Sequence, residues 1–293
     1  MKRLRFRTSL VGAVVVLVAI VYFGVAFLQS AKPDVPAAVA EETQPTGYAT
    51  VTMLRDLMRA QLDGFGGWLP NDLPLSPGWF LDNLPNFQLG VLQVTRHGTR
   101  VLRDNLSRQR TSDAVHKQAD IAYTSFANDP HRWAFPSAEG RFSAGNAALE
   151  RFRADLGGKA GFHPRADNLI QLLVPFISEL GAVTTLLLKS RNSPDVSWFE
   201  TDDNFYYAQG VGYAMLGVMR AVRHDFRGVL ADKNAIEITE QIIQALEATQ
   251  FEPWIVTNGR KDGLLANHSN NLKVFLDDAR QKMTSLTSIL DQG

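Results

Sequence analysis

The chain has 293 residues, with 30 basic and 30 acidic side chains that cancel, and it lacks the long basic run that a nucleic-acid binder would show. It contains no cysteine, which excludes thiol catalysis, structural disulfides and cysteine-ligated metals.

Lys2, Arg3, Arg5 and Arg7 lead into an uncharged apolar segment, residues 10–28, which as a helix extends about 29 Å, close to the roughly 30 Å hydrocarbon core of a bilayer. A cleavable signal has an apolar core of only about 7–15 residues, so the length predicts a retained transmembrane anchor. The alternative is cleavage after Ala38-Val39-Ala40, a small-x-small tripeptide that stands farther from the apolar segment than a usual signal-peptidase site. The basic tip precedes the segment, whereas Asp34, Glu41 and Glu42 outnumber Lys32 after it, so the positive-inside rule puts the N-terminus in the cytoplasm. Residues 31–48 carry Pro33, Pro36 and Pro45 with no apolar period, which describes a flexible linker. The expected organisation is a basic tip and anchor over residues 1–30, the linker over 31–48, and a helical domain over 49–293.

Val51, Leu54, Met58 and Leu62 recur at helical spacing and stop before Gly64. Residues 66–86 are too rich in proline and glycine for regular structure and too apolar for a solvated coil, so Trp68 and Trp79 are expected against the domain or the membrane surface. From Phe87 onward the helical reading puts Phe87, Val91, Val94, Gly98 and Val101 on an apolar face, and Arg96, Arg100 and Arg103 on a solvated stripe, with His97 on the helix surface. Helices are also expected over 113–127 and 137–156.

Residues 169–188 form a second apolar stretch. Gln171, Pro175 and Glu179 make it costly to insert in lipid, so it reads as a buried core helix. The following Lys189 and Arg191 leave a second membrane span as the alternative. A long helix is expected from about Asp202 to Arg227, capped by Thr201 and ended by Gly228, with a seam of Phe205, Ala208, Gly212, Met215, Met219, Val222 and Phe226. The last helix repeats that rhythm at Leu272, Leu276, Ala279, Met283, Leu286 and Leu290, so the two look like antiparallel partners or an oligomer seam. Between them residues 235–248 are amphipathic, with Asn234 and Glu237 in capping-box positions.

Catalytic candidates are few. Arg96-His97-Gly98-Thr99-Arg100 resembles the RHGxR signature of the histidine phosphatases, in which the histidine accepts the phosphoryl group and arginines bind its oxygens; His224-Asp225 matches their second motif. That resemblance implies an α/β domain, whereas the chain shows no alternating strand-helix series. Glu179 is the other candidate, since burial could raise its pKa and make it a general acid of glycosidase type. Trp198, Phe199, Tyr206 and Tyr207 would then line a glycan groove, or else pack in the core. The paired Asp202-Asp203 and Asp277-Asp278 read as helix-end charge and a wet helix face. The six histidines show no HxxxH or HExxH spacing, so no metal site is expected. No cofactor fingerprint is present.

The segments GWLPNDLPLSPGWFLDNLPNFQLGV (67–91), RTSDAVHKQAD (110–120) and FPSAEGRF (135–142), together with the anchor, resemble a group of uncharacterised bacterial proteins classed as a domain of unknown function. The resemblance implies a Gram-negative inner-membrane protein and supplies no activity, cofactor or catalytic residues. The fold expected is therefore all-α: an N-terminal transmembrane helix and an extracytoplasmic, periplasmic helical bundle. The leading functional expectation is a non-catalytic interaction or scaffold protein of the cell envelope, whose partners are the bilayer at residues 10–28 and either an envelope protein or a second copy through the helical seams. The alternative is a periplasmic hydrolase acting on a phosphoester through His97, Arg96 and Arg100, or on cell-wall glycan through Glu179.

Overall fold

The computed structural model describes residues 2–38, 43–110, 112–192, 197–253, 256–257 and 266–292. Over those residues the chain is helical, with a single isolated bridge between Leu156 and Ala160 and no strand. The helices are α1 (Lys2–Gln29), α2 (Tyr48–Leu62), α3 (Asn83–Val101), α4 (Lys117–Phe126), α5 (Ala138–Asp155), α6 (Ala166–Asn192), α7 (Trp198–Asp225), α8 (Arg227–Asp232), α9 (Ile236–Glu247) and α10 (His268–Asp291).

The bundle is built around α7. Its middle is buried on every side from Phe205 through Met219, so it reads as a core helix rather than as one side of a two-helix seam. Its most extensive packing is against α3, and that of α10 is against α6, which corrects the expected α7–α10 partnership. The reason lies in two glycines. A Cβ on Gly210 would stand 2.1 Å from the Phe87 carbonyl oxygen, and one on Gly90 would stand 2.3 Å from that of Tyr207. The backbones of α3 and α7 touch there, and only glycine permits it. The seam of α10 is buried inside the same chain, from Leu272 to Leu290.

The 169–188 stretch lies within α6 as a bundle helix. Leu169, Leu172, Leu173, Phe176, Leu180, Val183 and Leu187 are buried, whereas Gln171, Val174, Ser178, Ala182 and Thr185 face outward, the one-sided pattern of a helix packed on a core.

Helix ends differ from expectation in two places. Ser197, not Thr201, caps α7: its hydroxyl accepts from the Glu200 N–H, and the Glu200 carboxylate accepts from the Ser197 N–H, a complete capping box one turn upstream. Asn234 does not cap α9. It takes the left-handed conformation (φ 52°) after α8, and Ala235 occupies the N-cap position of α9 without a side-chain hydrogen bond. The His224-Asp225 pair is structural: the buried Asp225 carboxylate accepts from both the N–H and the hydroxyl of Thr50, at 2.7 Å each, closing the start of α2.

The expected linker behaves otherwise in its first eight residues. Lys32 donates to Gln209 Oε1 at 2.7 Å, pairs with Glu252 at 3.1 Å, and lies over the rings of Phe87 and Tyr206. The Asp34 carbonyl accepts from Tyr213, and Val35 and Ala38 rest on the core. Composition gave no sign of this, because the anchoring comes from one lysine and backbone carbonyls rather than from an apolar period. Val39 and Ala40, the heart of the cleavage tripeptide, lie outside the described residues.

α1 is the opposite of the bundle. From Val14 to Leu28 nearly all its large apolar side chains point away from the protein; by length and hydropathy both α1 and α6 are candidate membrane spans, but α6 packs one face on the bundle. α1 touches the bundle at the short 3₁₀ turn Pro77–Phe80.

Candidate functional site

The two residues that sequence reasoning treated as rival candidates meet in one place. His97, on α3, and Glu179, on α6, face each other with Nε2 and Oε2 3.3 Å apart. Gln93, one turn before His97, donates to the same carboxylate oxygen at 3.2 Å, and the Tyr207 hydroxyl of α7 donates to Oε1 at 2.9 Å. Tyr207 arrives there because its backbone is pressed onto Gly90 at the α3–α7 crossing. The cluster thus forms where three helices converge, and periodicity along any one of them could not reveal it.

Burial alone pushes the Glu179 carboxyl up, but hydrogen bonds to His97, Tyr207 and Gln93 outweigh it and hold the group below its ordinary value of 4.5. The shift thus runs opposite to the one burial alone would give, and it favours the carboxylate form of Glu179. Burial, followed by the neighbouring Glu179, pushes Tyr207 up, which keeps its hydroxyl a donor.

Of the cluster, His97 and Glu179 line a groove of about 420 Å³ between α3 and α6, which Arg100, Asp104, Asn105, Gln171, Val174, Pro175 and Ser178 complete. Pro175 has no N–H to offer the Gln171 carbonyl, so the regular i→i−4 bond is missing in one wall. Opposite it, α3 ends in a π-helical turn, Leu102–Leu106, which turns Asp104 and Asn105 toward the groove. The groove is thus lined by paired donors and acceptors of both signs.

Arg96 is not part of it. Its guanidinium donates to the carbonyls of Phe126 and Asn128, at 2.7 and 2.6 Å, closing the end of α4. It is a capping group rather than the solvated residue expected, whereas Arg100 is exposed as expected. Arg103 lies over the Tyr123 ring and binds Asp104. Of the aromatic set, Tyr206 is buried beside Lys32 and Tyr207 serves Glu179; the side chains of Trp198 and Phe199 lie outside the described residues.

Among the described residues no group of three histidine, cysteine, aspartate or glutamate side chains is placed to hold a metal. Asp82, Asp202 and Asp203 gather near the start of α7. There burial, then the charges of Asp82 and Asp203, raises Asp202 to about 6, and Asn86 donates to Asp203.

A family model described as an uncharacterized protein conserved in bacteria (DUF2333) matches residues 2–197 and 188–293. The chain belongs to this family. No curated protein and no solved structure matches it. The description of DUF2333 assigns no role to the RHGxR string. Its arginines part company, Arg96 to a helix end and Arg100 to a groove wall, and the strand that would present a phosphatase loop is a helix here. The sequence signals for this cluster are His97 in its RHGxR string and Glu179, a carboxylate inside an apolar run; nothing local joins them to each other, to Gln93 or to Tyr207.

Proposed function

We propose that this is a membrane-anchored interaction protein of the bacterial cell envelope, held by α1 in the inner membrane with its N-terminus in the cytoplasm and its helical bundle in the periplasm. The observation that carries the reading is a contrast within one chain. α1 turns its apolar side chains outward, as a lipid-facing helix must, whereas the bundle turns its long seams inward. The basic tip sets the orientation. The recognition surface is the α3–α6 groove, whose mixed rim of Arg100, Asp104, Asn105, Gln171 and Ser178 suits a polar segment of a partner chain. Glu179 serves as its rigid floor, because its oxygens are already engaged by three side chains.

Photo-crosslinking from Ser178 in the full-length, membrane-resident protein tests this. One stoichiometric envelope partner is expected, lost on Arg100→Glu. Absence of any adduct from Ser178 contradicts the reading.

A second reading rests on the approach of His97 to Glu179: a histidine oriented by a carboxylate beside an open groove is the arrangement with which a hydrolase activates water. Hydrolytic activity abolished by His97→Ala, with the fold intact, would favour it over the first.

A further inference from the structure

Large apolar side chains outside α1 stand in solvent singly on several helices, but six of them gather on two adjacent loops. Residues 64–81 expose Phe65, Leu73, Leu75 (74%) and Trp79 (49%); residues 131–136 expose Trp133 and Phe135 (91%). The loops are fastened together: Asn71 donates to the Arg132 carbonyl at 3.0 Å, Trp68 to that of Pro130 at 2.8 Å, and the His131 ring stands 3.0 Å from the Pro70 carbonyl. Trp68, whose indole is 1% exposed, is the buried post that holds them.

The same loops receive α1. The Tyr22 hydroxyl bridges the carbonyls of Leu75 and Ser76, at 2.8 and 2.9 Å, and Gln29 lies against Gly66. That contact fixes a height. Tyr22 precedes Leu28, the end of the apolar segment, by six residues, which is about 9 Å along a helix axis. If Leu28 marks the edge of the hydrocarbon, the tip of the loop lies below that edge, within the roughly 5–10 Å depth that interfacial elements reach. A polar loop could not stay there. This one presents leucine and tryptophan, the tryptophan suited to the headgroup level. Its backbone is paired, too: Ser76 N–H donates to Leu73, Trp79 N–H to Ser76, and the one Tyr22 O–H is shared between the Leu75 and Ser76 carbonyls.

We propose that the 64–81 and 131–136 loops form a membrane-seating face, immersed at the headgroup–acyl boundary of the bilayer that α1 spans. The docked strap of residues 31–38 agrees with this, since it leads the chain from α1 up along α7 with no slack at the base. The charges at the face oppose one another, Asp72 and Asp82 against Arg132, whose guanidinium is taken up by the Ala134 and Phe135 carbonyls, so insertion comes from apolar side chains and not from attraction to anionic lipid. The inference rests on α1 being a membrane span, and its test separates the two.

The chain has no cysteine, so single nitroxide labels can be placed on the full-length protein in phosphatidylcholine–phosphatidylglycerol vesicles. Labels at Leu75→Cys and Phe135→Cys replace exposed side chains; Val16→Cys reports on α1, and Ile236→Cys on the far end of the bundle. Collision with oxygen is expected to exceed collision with a water-soluble nickel chelate at positions 16, 75 and 135, unchanged by salt, with the reverse at 236. Aqueous behaviour at 75 or 135 with position 16 in hydrocarbon overturns the seating face and leaves the anchor standing. Aqueous behaviour at position 16 overturns both.

Discussion

His97 Nε2 lies 3.3 Å from Glu179 Oε2, across the junction of α3 and α6. Either residue read alone suggests a catalyst; together, with Tyr207 and Gln93 on the same carboxylate, they make a polar bridge that ties three helices. A bridge and a catalytic site respond oppositely to removal. Glu179→Gln should lower stability by about 1.5–3 kcal/mol at neutral pH, the range for hydrogen bonds to a buried charge. Because the folded carboxyl is held below 4.5, the difference from wild type should be complete above that value and vanish as pH falls through the lower folded pKa. Thermal unfolding of both proteins between pH 3 and 8 checks it. A more stable Glu179→Gln protein would instead mark a strained functional site.

Asp202 should behave in the opposite sense. Its folded pKa is raised to about 6 from 3.8, so between those values the folded state holds the extra proton and stability falls as pH rises. Asp202→Asn should match wild type near pH 4 and exceed it above pH 6, by about 1 kcal/mol once solvent screening of this half-exposed group is allowed for. Denaturant titrations at the two pH values give the comparison.

The glycine crossing is unforgiving. Gly210→Ala puts a methyl 2.1 Å from a backbone oxygen that has no flexible side chain to yield, so α3 and α7 must separate. A loss of about 3 kcal/mol or more is expected, at the upper end of overpacking costs. Gly228→Ala, where nothing lies within 4 Å, should be close to neutral or slightly stabilising. Equal melting temperatures for the two variants would refute the backbone contact.

Lys32 holds the strap. Burial pulls its ammonium below the usual lysine range, and Glu252 with Gln209 offsets that cost. Lys32→Ala leaves Gln209 Oε1 without its lysine donor and should free residues 31–38 for proteolysis several-fold faster than wild type. Unchanged digestion of that stretch would contradict the docking.

Much of the helical order was legible, and the reasons are physical. α2, α3, α9 and α10 each bury a single face, and one face leaves a clear period: Leu272 to Leu290 was read residue for residue. α7 was harder because it buries all faces, and the spacing that suggested α10 as its neighbour concealed Gly210, which selects α3. The Ser197–Glu200 box was visible in the letters but lost to Thr201, four residues on. His97 and Glu179 were each singled out, and their meeting was not, since no local pattern brings residues from α3, α6 and α7 to one point. The strap was read as free because lysine and proline carry no apolar signal, yet a single buried ammonium suffices to dock it.

The central claim is the anchor with an outward bundle, and vectorial labelling tests it most directly. In intact spheroplasts a membrane-impermeant maleimide should modify Ile236→Cys at once and reach Ser9→Cys only after the membrane is permeabilised. Modification of Ile236→Cys only after permeabilisation, or of Ser9→Cys before it, would contradict the account.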